Sequence, residues 1–524
     1  MRPVRFPFQY LAASAVILVG LGGCVSVKPD ERFPDVQSQV ESRLGPAMTR
    51  VHWRLGTQED AQVDALVNDL LARPLTPEGA VQVALLRSRD LQAVYEDLGV
   101  AQADLVHAGL LKNPDLAGFV RFPDSGPSSP NWNVGLDFWL DMFLVPLRKK
   151  IAGAELETSL LRVTDAVLDK ATQVRRAYFQ YLADTRVLVH QRALAEFADV
   201  AAELTKRQQA QGHIADLDSA NEQAAVEEAG LALDRAEAAV RISRETLRRL
   251  LDLTDSNIPW TIDESVAAIP AADPDAEALV ATSLDKRVDL AMLSREIELQ
   301  RLGLDMDKKW FLTTGAVGVE TERSSDGVQG TGPHISFELP IFHQHQAAYA
   351  RREALIRQAE DRLAGWRGAA RAEVRIAAER MALARRAAER YERSIVPLRQ
   401  RIVGLTQAEY NAMIVGVPDL LVAKSAETRV GIDQARAVQD YWTARAELER
   451  VIGVKLPDLP IAAPSPAPMP TEVPTPKDAT PDAMPEMPGM TKPAPVASDP
   501  KSPPSPAPVS PVPPMPDMPG MNPK

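Results

Sequence analysis

The 524-residue chain has a single cysteine, so no disulfide can form within it and no cysteine pair can clasp a metal. Aromatic residues make up only 5% of the chain and charged residues 25%, a mix that favours long solvent-washed helices over one compact core. There is no excess of positive charge. The net charge is −12, whereas a nucleic-acid partner requires clustered cationic surface. No Gly-rich phosphate loop, Gly-x-Ser-x-Gly elbow or His-Glu-x-x-His pair occurs, so neither an enzyme nor a resident cofactor is expected. The length exceeds that of a usual single domain and points to several domains or one elongated repeat.

The features that are present begin at residues 1–23. Arg2 and Arg5 precede an apolar stretch, Leu11 to Leu21, that is too short to span a bilayer as a mature helix. Leu21-Gly22-Gly23-Cys24 follows, and this ending resembles the bacterial lipoprotein signal. The resemblance implies that Cys24 is acylated, with palmitate among its lipids, and becomes the mature N-terminus. Val25 and Ser26 bring no acidic residue, which the same resemblance associates with sorting to the outer membrane. The alternative is a plain secretory signal followed by a free thiol.

After a polar linker (24–73) the chain is written twice, over 74–256 and 257–456. Asp90-Leu91 corresponds to Asp289-Leu290, Pro146 to Pro340, Ala215-Asp216-Leu217 to Pro418-Asp419-Leu420, and Leu247–Leu250 to Leu448–Val451, at an offset near 200 residues. Each half predicts a helix (Pro77 to Leu111; Asp275 to Lys308), then two strands, then a very long helix (Leu147 to Ala210; Gln344 to Ala412). Helices returning to Leu253 and Val454 complete the halves. Each long helix has coiled-coil-like spacing and would extend roughly 100 Å. Pro397 predicts a kink in the second of them. Glycine or proline beside Asp216 and Asp419 marks the two helix-to-helix turns, and both aspartates suit capping, Asp216 the more so.

Large apolar residues alternate with small or polar ones along Trp132–Phe138 and again along His334–Leu339. Strands of about ten residues are expected, with aromatic ends supplied by Phe119, Phe122, Trp132, Trp139 and Phe143 in one half and Trp310, Phe311 and Phe342 in the other. That pattern describes transmembrane hairpins. Four strands cannot close a barrel and open edges are not tolerated in lipid, so three copies making twelve strands are expected.

Two further patterns concern metals. His343 and His345 flank Gln344, and exposed polar filler is the stronger reading of that pair over a metal site. From residue 457 to 524 the chain holds 24 of its 43 prolines and shows no apolar periodicity, which predicts disorder or polyproline II. Within it Met484, Met487 and Met490 are echoed by Met515, Met518 and Met521. Polyproline II has three residues per turn, so each trio lines one edge of the extended chain, and thioethers are soft ligands suited to Cu(I) and Ag(I). Drift of a Pro-rich repeat is the alternative.

The duplicated order, Asn113-Pro114, Leu339-Pro340-Ile341-Phe342, Tyr410 and Gly416-Val417-Pro418-Asp419-Leu420-Leu421 resemble the TolC-type family of outer-membrane efflux channels over about Leu75 to Val454. The resemblance implies a mainly α fold with a small transmembrane β part, assembled as a homotrimeric twelve-stranded barrel and a twelve-helix periplasmic tunnel. It implies docking to a periplasmic adaptor and an inner-membrane pump, and a tip constricted by acidic residues, for which Asp419 is the best candidate and Asp216 a lesser one. Copper or silver export is expected from the tail. A drug-efflux or type I protein-secretion duct is the alternative within the fold, and a periplasmic adaptor is the alternative outside it.

Overall fold

The computed structural model describes residues 26–457 except 46–49, 123, 125–128, 255–257 and 266–267. Cys24 and the six tail methionines therefore lie outside the described residues. The N-terminal stretch read as a linker contains two helices, α1 (Phe33–Leu44) and α2 (Gln58–Leu71), whose Val36, Val40, Val63 and Val67 are buried at helical spacing.

Each half begins with two helices where one is expected from sequence: α3 (Pro77–Arg87) and α4 (Arg89–Gly109), then α7 (Ala276–Lys286) and α8 (Val288–Asp307). Thr76 caps α3 by accepting from the Gly79 N–H at 3.0 Å. The break at Ser88 is local chemistry, since its hydroxyl accepts from the Leu91 N–H and starts a new helix. At Arg287 the guanidinium is drawn to Asp289 (2.6 Å) and Glu373 (2.7 Å) instead.

The long helices are α5 (Val145–Ala210) and α9 (Gln346–Arg390), the latter continued through a π-turn (Tyr391–Ile395) into α10 (Val396–Asn411). The π-turn sits just before Pro397, whose missing N–H and ring exclude a regular bond to the preceding turn. The expected kink is thus a π-turn. Helices α6 (Asp216–Leu250) and α11 (Val417–Ile452) return. Their packing order is α6, α5, α11, then α9–α10.

One antiparallel sheet, ordered β1 (Asp115–Arg121), β2 (Asn131–Trp139), β3 (Ala316–Arg323), β4 (Gln329–Ser336), joins the halves through β2 and β3. The strands have seven to nine residues rather than ten. The expected second-half strand ends at Ser336, while Phe337, Leu339, Ile341 and Phe342 run on exposed outside it. Pro146 and Pro340, aligned in the sequence reading, occupy unlike places: Pro146 is the second residue of α5, whereas Pro340 precedes α9 by six positions.

The main core gathers where α1–α4 and the end of α6 lean on α5, around Leu85, Tyr95, Leu156, Val167 and Leu251. Tyr178 is enclosed there and its hydroxyl donates to the carbonyls of Leu75 (3.0 Å) and Asp263 (2.8 Å), tying the link between halves to the long helix. Phe179 of α5 stacks on Trp442 of α11 at 5.3 Å, and Arg175 reaches Glu449 at 2.8 Å. Sequence repeats become spatial neighbours here because each half leaves an apolar stripe on its long helices for the other to cover.

Candidate functional site

The sheet has two unlike faces. Paired residues lie on the same face of an antiparallel ladder. Leu116 pairs with Leu136 and that with Val319; Val134 and Phe138 stand on the same side with Val317 and Ile335. Asp115, Asn133, Asp137, Glu320, Glu322 and His334 occupy the other side, with the aromatic rings of Phe119 and Trp139 near its two ends and the small Ala117 and Ala316 among them. The aromatic residues fall at the two ends, as read from sequence. Phe119, Phe122 and Trp132 are near the loop end; Trp139, Phe143, Trp310, Phe311 and Phe342 are near the helix end, where Phe342 is 93% exposed. An apolar band between aromatic girdles, backed by a polar face, is what a lipid-facing barrel wall requires. Among the described residues no helix is long and apolar enough to cross a membrane.

The polar face carries a cross-strand pair that the sequence pattern did not single out. His334 on β4 reaches over β3 to Asp137 on β2, with 2.9 Å between Nε2 and Oδ1. Both flank Gly318, and the absence of a side chain there opens the passage. Asn133 and Glu320 are hydrogen-bonded on the same face. At the helix end the buried Asp141 carboxylate is met by Arg148 (3.3 Å) and Lys112 (3.7 Å).

Among the described residues the edges β1 and β4 have no partner strand, and the flanking helices carry exposed apolar side chains. Leu217, Leu231 and Ile242 are exposed on α6, and Ile376, Leu383, Leu398 and Leu405 on α9–α10. Both edges of the sheet and both edges of the helix layer thus end on the same two repeats.

At the helical turns Asp216 and Asp419 differ. Asp419 is the third residue of α11 and its Oδ2 accepts from the Gly416 N–H at 3.0 Å, which closes the start of the helix. Asp216 is the first residue of α6 and Ala215 holds the cap position; Asp216 Oδ1 accepts instead from Gln209 Nε2 at 2.8 Å. The stronger capping role therefore belongs to Asp419, the reverse of the sequence expectation, because cap chemistry needs the side chain to reach back over the first turn. Met413, with φ 59°, and Ile414 are exposed in the turn that leads into α11, Met413 to 93%.

His343 is exposed and His345 half-buried at the junction of sheet and helix. Their rings meet edge to face at 4.7 Å, and His345, with φ 58° ahead of α9, stacks on Trp310 at 4.5 Å. Among the described residues no three His, Cys, Asp or Glu side chains converge as a metal site.

Residues 80–252, the first repeat, match the family model described as "Outer membrane efflux protein". No curated protein matches. Among solved structures, the Campylobacter jejuni CmeC outer membrane channel is similar at 15% identity and a TM-score of 0.60, over 78% of this chain and 91% of that one. A membrane protein from Pseudomonas aeruginosa is similar at 18% identity and a TM-score of 0.58, over 79% and 95%. The outer membrane protein VceC from Vibrio cholerae is similar at 14% identity and a TM-score of 0.55, over 75% and 97%. The fold is that of the TolC-type outer-membrane channels, and the resemblance noted from the sequence is present both in the family match and in the architecture.

Proposed function

We propose that this chain is one third of a passive efflux duct across the outer membrane and periplasm, anchored by lipid at Cys24 and coupled to a periplasmic adaptor and an inner-membrane pump. The observation that carries this reading is the four-stranded sheet with an apolar and a polar face and two unpaired edges. A heterologous ring closes such edges, β4 of one copy against β1 of the next, and three copies of four strands give an even twelve. The exposed stripes on α6 and α9–α10 support the same closure, since each is the free flank of a helix layer. A periplasmic adaptor would have no use for an apolar sheet face ringed by aromatics. Reconstitution of the purified protein in planar bilayers tests the duct: discrete conductance steps are expected, and a protein that binds lipid without conducting would refute it.

Monovalent copper or silver is the proposed cargo. Support comes from the two trios of the tail, Met484, Met487 and Met490 with Met515, Met518 and Met521, which place soft sulfur ligands at the period of polyproline II. Calorimetric titration of the full chain with Cu(I), against a variant with all six methionines changed to leucine, decides the point. Equal heats from both proteins would remove the metal assignment and leave the duct intact. Asp419 and Asp216 are proposed to line the narrow end, Asp419 with the larger effect.

A further inference from the structure

Buried side chains stop at one level along the long helices. On α5 the last is Val187; on α9 it is Ala388, and α10 has none. On α6 only Ser219 is buried before Ala236, and on α11 only Thr428 before Ile432. Val187, Ala236, Ile432 and Ala435 form one small cluster at this boundary. Beyond it each helix continues about 20–35 Å to its turn without a further buried apolar cluster among the described residues. Pro397, just past the π-turn, and Gly431 are each fourteen residues from the turn-side ends of their helices, Asn411 and Val417.

His190 of α5 fills the space left by Gly431 of α11. A Cβ at residue 431 would lie 2.5 Å from His190 Cε1 and 2.7 Å from Nε2, so the imidazole rests on the α11 backbone. The charges around it come from three helices. Arg186 is one turn away on α5, Glu427 faces it from α11 while held by Lys424 at 2.6 Å, and Arg192 pairs with Glu237 of α6 at 3.3 Å.

We propose that the His190–Gly431 contact is a pH-sensitive latch, in which the neutral imidazole holds the two helix pairs together at this level and protonation lets their turn-side segments part. Burial first, and Arg186 second, hold the docked imidazole below the ordinary histidine value, with Glu427 partly offsetting them. The sign follows. An undocked ring takes up a proton near pH 6.5, more readily than a docked one, so the joined state is favoured above that pH and loses ground below it. The latch is independent of what the duct carries.

Hydrogen exchange of the full chain at pH 7.5 and pH 5.5, corrected for the intrinsic pH dependence of exchange, reads this equilibrium. Residues 188–210 and 417–434 are expected to lose protection at least about threefold at pH 5.5, while residues 156–183 stay unchanged. His190→Phe should abolish the pH response; His190→Gln, which cannot titrate either, serves the same purpose if the phenylalanine does not fold. Gly431→Ala should expel the ring and lower protection already at pH 7.5. An unchanged pH response in the His190 variants, or none in the parent protein, would overturn the latch.

Discussion

At Gly318 an added methyl group would meet the Asp137 carboxylate, the Leu136 carbonyl oxygen at 2.6 Å and His334 Cε1 at 2.7 Å. Gly318→Ala is therefore expected to break the Asp137–His334 pair and to reduce insertion into the outer membrane, measured as the fraction of heat-modifiable protein in membrane extracts; full insertion would show that β3 can shift to make room. Asp419→Ala removes the bond to the Gly416 N–H and costs the α11 start about 1 kcal/mol. If Asp419 also lines the narrow end, single-channel conductance rises beyond what that local fraying explains, and Asp216→Ala changes it less. Asp165 supplies a pH-dependent case. Burial, and then Asp169, raise its carboxyl above the usual range against the pull of Arg450. A raised acid favours the protonated form in the folded chain, so ionised Asp165 lowers stability at neutral pH, and the loss is recovered as pH falls through its folded value. Asp165→Asn should thus raise the unfolding midpoint at pH 7.5 and confer no advantage in acid.

Among the elements, the two continuous stretches Leu147–Ala210 and Gln344–Ala412 were legible from breaker-free helical spacing, and Pro397 marked the irregular one. Its form as a π-turn was not legible, because which carbonyl a helix gives up depends on how α11 holds the neighbouring turns. Pro397→Ala restores an N–H and should convert Tyr391–Ile395 to regular helix, seen as slower amide exchange at residues 393–398. The breaks at Ser88 and Arg287 escaped the periodicity, since apolar spacing runs through both and only the side-chain bonds interrupt it. Strand lengths were overestimated for a related reason: Phe337–Phe342 stays apolar after β4 has ceased to pair, and alternation reports faces rather than hydrogen bonds.

In the whole molecule, the two halves are bound by polar as well as apolar contacts. Arg175 of α5 meets Glu449 of α11 at 2.8 Å, and Arg445 adds a second bond to that carboxylate at 3.2 Å. Glu449→Leu would take the shared carboxylate from two buried guanidinium groups and is expected to destabilise the chain by about 3–5 kcal/mol, readable in urea unfolding. Assembly is tested by Ile242→Cys combined with Leu383→Cys, exposed residues 26 and 28 positions from the turn-side ends of their helices on the two flanks. Oxidation should give a ladder that stops at three copies, whereas a ladder without an end, or none, would refute ring closure. The sequence by itself determined the two similar halves, the long helices, and the hairpins with their apolar and polar faces, because each rests on local periodicity or a repeated order of elements. Only the tertiary structure decided that one sheet joins the halves through β2 and β3, that His334 meets Asp137 over Gly318, and that His190 rests on Gly431. Those pairings connect residues 177–191, 197 and 241 positions apart, and no local pattern carries the distance between side chains that only packing brings together.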